Sequence, residues 1–128
     1  MSEASLAAQR VAVTHMRGRA ALTALVPSAN FMDRNERPER FPCVLVGEAQ
    51  TVEDEADCIV GSEVFLTIHV WTRENGFTAC KSIAGEIRRA LRGVSEIQDG
   101  FACDFQFDDT TFLRDPGGEL SHGVVRFA

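Results

Sequence analysis

The stretch SEVFLTIHVWTR, Ser62 to Arg73, decides the fold because it alternates so regularly. Val64, Leu66, Ile68 and Val70 share one parity; Phe65, Thr67, His69, Trp71 and Arg73 share the other. Successive side chains of a strand point to opposite faces, so these residues predict a strand with one aliphatic face and one mixed face. The aliphatic face needs a core. The mixed face carries the only tryptophan of the chain, and three uses suit it: an active site, a nucleic-acid platform, or a contact with another protein.

Working outward, FPCVLVGEAQ (41–50) predicts a second strand that is apolar at both parities, with Cys43 and Leu45 on one side and Val44 and Val46 on the other. Such a strand requires cover on both faces. The acidic TVEDEADCIVG (51–61) reads as the connection between the two strands. A helix is predicted over 5–25 from Leu6, Val13 and Ala20, with Met16, Leu22 and Leu25, and it stops at Pro27 and Ser28. The polar SANFMDRNERPER (28–40) reads as an exposed loop. After the break at ENG, residues 77–92 follow the helical template through Cys80, Ile83, Ala84, Ile87 and Leu91. Arg88, Arg89 and Arg92 fall where cations suit the helix dipole, and Gly93 suits the position just past the end.

The last third predicts a hairpin about the turn Asp115, Pro116, Gly117, Gly118. A type I turn with a glycine bulge would pair Asp115 with Glu119, Phe107 with Phe127, Asp109 with Val125 and Asp108 with Arg126. The resulting order is α-β-β-α-β-β: an α+β fold over 1–128, one domain, with a mostly antiparallel four-stranded sheet and two helices on one face. Two helices shield one face only. Phe65, Trp71 and half of the all-apolar strand would then form an exposed patch, which marks a partner surface.

Composition narrows the function. The net charge is −6 and the pI near 5.0, against the clustered positive charge that phosphate-backbone binding needs. No run approaches the roughly 18 apolar residues of a membrane span. Cys43, Cys58, Cys80 and Cys103 lack the close-spaced pairs of a zinc site and read as reduced thiols. His69 has no carboxylate or cysteine two residues away, and His15 and His122 have no local partner. Asp104 and Asp108 lie about 13 Å apart on a strand, too far for a metal pair at about 4 Å. Neither a phosphate-binding glycine loop nor a GxSxG elbow occurs. The loops carrying Arg34, Arg37 and Arg40 and carrying Glu53, Asp54 and Glu55 have opposite runs of charge, which suits head-to-tail contact between copies.

The closing LRDPGGELSHGVVRF (113–127) resembles the C-terminal signature of phage tail terminator, or tail-completion, proteins, including those of gene transfer agents. ALTALVP (21–27), FPCVLVGE (41–48), LTIHVWTR (66–73) and SIAGEIRRAL (82–91) match in the same order, so the resemblance covers nearly the whole chain. It implies a structural protein with no catalytic residues, no cofactor and no metal. It also implies a ring, typically a hexamer, on the head-proximal end of the tail tube. The ring stops tube growth and presents a surface to the head-completion, or neck, proteins. The partners so implied are further copies of itself, the major tail tube protein and a neck protein, with no sequence-specific nucleic acid and no membrane. Its place would be the bacterial cytoplasm during assembly, then the particle. Phe65, His69, Trp71 and Arg73 are expected at a subunit contact, and loops 28–40 and 50–61 at ring or tube contacts. The alternatives are a head–tail connector of the same particle, or a small metal-dependent nuclease using His69 and the acidic strand.

Overall fold

The computed structural model describes residues 3–33, 40–56, 59–74, 76–114 and 116–128, with only the backbone for 54–56 and 59–60. Helix α1 (Ala4–Gly18) is followed by the short α2 (Ala20–Thr23), a 3-10 turn at Ser28–Asn30, and strand β1 (Phe31–Met32). Strands β2 (Cys43–Ala56) and β3 (Ile59–Thr72) come next, then α3 (Thr78–Leu91). Strands β4 (Ser95–Gln98), β5 (Phe101–Asp104), β6 (Phe107–Arg114) and β7 (Ser121–Phe127) complete the chain. The fold is α+β. Its main sheet is mixed and five-stranded in the order β1-β2-β3-β7-β6, with β1 parallel to β2; β4 and β5 form a separate two-stranded sheet.

The decisive strand behaves as its alternation predicts. Leu66, Ile68 and Val70 are buried beneath the helices with Val44, Val46, Val125 and Phe127. Helix α3 packs the expected face: Cys80, Ile83, Ala84, Ile87 and Leu91 are all buried, and Gly93 has φ +77° just past its end. Arg88 also lies over the Phe107 ring at 4.2 Å, covering an aromatic that the core leaves half-exposed. The start of α3 is held from upstream. Glu74 accepts the backbone N–H of Ala79 at 3.2 Å and of Cys80 at 3.1 Å, supplying the cap that Phe77 cannot.

The predicted single helix over 5–25 is two helices, because Arg19 is extended at φ −95°, ψ 110°. The break lets Leu22 and Val26 turn back into the core. It also sets Arg19 Nε 3.5 Å from Glu86 on α3. The buried stripe of α1 is not the large-residue heptad. It is Ala7, Ala8, Val11, Ala12 and Met16, while Leu6 and Ala20 face solvent. Small residues permit the closer approach to the sheet.

Most of the acidic connection is strand: β2 runs to Ala56 and β3 starts at Ile59. β2 and β3 stay in register through Val52↔Glu63, Glu53↔Ser62 and Asp54↔Gly61. β7 pairs with β3 only at 66–72, so the outer half of the β2–β3 hairpin extends past the main sheet as a two-stranded ribbon. The predicted loop 28–40 likewise contains β1. Phe31 is buried there, and Asn30 donates to the Pro42 carbonyl at 2.9 Å.

The C-terminal hairpin forms with a different register. Phe107↔Phe127 holds, but a bulge between Phe107 and Asp109 shifts every later pair, giving Asp109↔Arg126 through Arg114↔Ser121. The partner of Arg126 is therefore Asp109 at 2.7 Å rather than Asp108, and Val125 faces Thr110. The described strands end at Arg114 and Ser121, and the expected Asp115–Glu119 pair falls on Asp115, which lies outside the described residues. Ser121 Oγ donates to the carbonyls of Glu74 and Gly76, fixing where β7 begins. Upstream, β5 turns away to pair with β4 through the tight turn at Asp99 (φ +52°) and Gly100 (φ +83°). Both residues are left-handed, as a two-residue hairpin requires.

Candidate functional site

The face of the sheet away from the helices carries the residues singled out in the sequence. The register sets Cys43, Leu45, His69, Trp71, His122, Val124 and Leu113 on this side. Cys43, Leu45 and Val124 are buried even so, and Trp71 is half-buried. The patch expected from two helices on one face is thus partly closed by its own side chains. Phe65 at 37% exposed and Leu113 at 47% stay open to solvent.

A row of polar rings does much of that closing. The His122 ring stacks on Trp71 at 4.0 Å between centroids, with an interplanar angle of 8°. His69 Nδ1 lies 2.7 Å from His122 Nε2, and His69 Nε2 lies 2.6 Å from Glu48 Oε1. One tautomer satisfies the row: His69 donates Nε2–H to Glu48 and accepts on Nδ1 from His122 Nε2–H. The His69 hydrogen bond holds the Glu48 carboxyl below the usual carboxylate range. β2 makes room through glycine. A Cβ on Gly47 would come within 2.4 Å of the His69 ring. The irregularity between Val46 and Ala49 brings Glu48 within reach of His69 on this face.

Three of the four members of this row lie on different strands, which is why sequence neighbours gave His69 and His122 no partner. Only Gly47 within the apolar strand signalled a bulge or a close approach. Both nitrogens of His69 are already engaged, at distances too short to admit a metal between the partners. No group of three or more His, Cys, Asp or Glu among the described residues could hold a metal ion. The row is suited to fixing ring orientation on a half-buried sheet face.

The other expected contact residues scatter. Arg73 lies at the end of the face, with its guanidinium 4.8 Å from the Phe41 ring. Phe65 lies on the outer half of β3, and Glu53 is exposed on β2. Asp54 and Glu55 belong to β2 by backbone, and Arg40 is exposed; Arg34, Arg37 and Asp115 lie outside the described residues. Pro116, Gly117 and Gly118 form an exposed turn, with Gly118 at φ +75°.

The pattern of the family described as tail completion protein gp17 matches residues 12–128, and the chain belongs to that family. In fold it is similar to a chain of the solved virion of a native gene transfer agent particle. The TM-score is 0.86 at 22% identity, covering 98% of this chain and 96% of that one. No match was found among curated proteins.

Proposed function

We propose that this chain is the subunit of a non-enzymatic ring, a hexamer, that caps the head-proximal end of a tail tube. The ring stops tube elongation and offers its other side to a neck protein. The observation that carries the proposal, given the family, is the sheet face that no described helix covers, with Leu113 exposed near the half-buried Trp71 and Phe65 exposed farther along β3. A closed ring uses a heterologous interface, so one such face per subunit meets a different surface of the next. In this reading Phe65, His69, Trp71 and Arg73 lie at the subunit contact. The acidic β2–β3 ribbon and the 28–40 segment meet the neighbouring subunit or the tube. A two-stranded ribbon is marginal alone in water, which supports a partner for its outer half.

Mass measurement in solution, alone and with the tube protein, tests the ring. Trp71→Ala should weaken assembly by about 2 kcal/mol or more, the usual cost of truncating a central interface aromatic. Assembly unaffected by Trp71→Ala, in a variant with an unchanged fold by circular dichroism, removes this face from the contact.

A further inference from the structure

Charge is sorted along the chain. From Phe41 to Thr72 it carries Glu48, Glu53, Asp54, Glu55, Asp57 and Glu63 and neither Lys nor Arg. This is the segment of β2, β3 and their ribbon. From Phe77 to Arg92 the balance reverses, with Lys81, Arg88, Arg89 and Arg92 against Glu86. Glu86 is already engaged by Arg19 and Arg89.

Lys81 and Arg88 line the seam between α3 and the edge strand β6, about two helical turns apart. Lys81 Nζ lies 5.5 Å from the centroid of Phe112, and the Arg88 guanidinium 4.2 Å from that of Phe107, both rings of β6. From the strand side, Arg114 lies over Phe77 at 4.6 Å. The three rings are half-buried and the three cations exposed. Among the described residues neither Lys81 nor Arg88 is paired with a carboxylate. A cation seated on a ring is held in place and still has N–H donors for a carboxylate.

The ribbon presents the matching chemistry. Val52 and Glu63 lie directly opposite each other across it, so one face sets an apolar side chain, 42% exposed, beside an exposed carboxylate. The seam sets a ring beside a cation. Within one copy the two stand apart: β3 and β7 separate β2 from β6, and neither Glu53 nor Glu63 pairs with a seam cation.

We infer that the basic seam between α3 and β6 receives the acidic β2–β3 ribbon of a second copy. Donor and receptor surfaces differ, so the contact is heterologous and repeats from copy to copy. It rests on the ring reading for that head-to-tail order, and it names the surface that the ribbon meets. A nucleic-acid strand is a poorer occupant, because cations cover the rings that bases would stack on.

Lys81 is the only lysine of the chain, which makes the test specific. A zero-length carbodiimide joins amines to carboxylates, so in a mixture of isotope-labelled and unlabelled full chains it reports what meets Lys81. We expect Lys81 of one copy joined to Glu53 or Glu63 of another. Lys81→Glu with Arg88→Glu should weaken self-association by about tenfold or more, and so should Glu53→Lys with Glu63→Lys, because each sets like charges face to face. Mixing the two variants pairs reversed seam with reversed ribbon and should restore association, which a mere folding defect would not allow. Absence of any cross-link between copies, cross-links from Lys81 to carboxylates outside the ribbon, or a mixture no better associated than either variant alone overturns the inference. Closed rings that persist in both variants overturn it and leave the ring standing. Association with the expected cross-link and rescue, but into dimers or open chains by mass, upholds the contact and removes the ring.

Discussion

Gly47 is the residue over which the His69 ring lies, and the polar row depends on that space. Gly47→Ala places a methyl group 2.4 Å from His69 Cδ2, so the ring must leave its place between Glu48 and His122. Overpacking of this kind typically costs about 1–3 kcal/mol, and we expect that loss in urea unfolding. Glu48 gives a second expectation, in pH. Its folded carboxyl sits below its ordinary value because His69 donates to it. The stabilisation is therefore complete above the unfolded carboxylate value of about 4.3 and is lost as pH falls through the lower folded value. The difference in unfolding midpoint between the native chain and Glu48→Gln should be present at pH 6 and shrink as pH falls below the unfolded carboxylate value of about 4.3. A difference that does not shrink on acidification means the carboxylate charge is not what stabilises the row.

Among the elements, α3 shows how far sequence alone carries. Its buried face, its arginine-rich last turn and Gly93 are local features with helical spacing, and all were legible. The capping carboxylate was not, because Glu74 reaches Ala79 and Cys80 from a preceding bend rather than from the usual capping position. Glu74→Ala should cost about 1 kcal/mol of stability, near the value for losing a cap, and should speed amide exchange in the first turn of α3. Unchanged exchange there would show that packing alone holds the helix start. β3 was legible because one face is buried and the alternation is strict. The outer ribbon was missed because its described side chains at 51–53 and 62–63 are exposed at both parities, so its sequence carries no alternation. β4 was missed for the same reason, although Asp99-Gly100 is a strong hairpin signal in its own right. The β6–β7 register failed by one residue. The turn chemistry placed a bulge at the loop, whereas packing of Phe107 against Phe127, 5.8 Å between ring centroids, places it beside Asp108. The Glu48–His69–His122–Trp71 row was illegible because it assembles across strands, and no spacing rule within one strand reports it.

For the whole molecule, helices α1 and α3 bury one face of the sheet, and among the described residues the other face is finished by rings and aliphatic side chains rather than by a third layer. A face built this way closes much of itself and leaves Phe65 and Leu113 exposed. That combination suits a subunit that folds first and assembles afterwards, and membership of the tail completion family gives it a place to assemble. We propose that the assembled ring ends tail growth. Electron microscopy of particles made without this protein tests it most directly. We predict tubes of abnormal and variable length that fail to join heads; tubes of normal, uniform length in its absence would contradict the account.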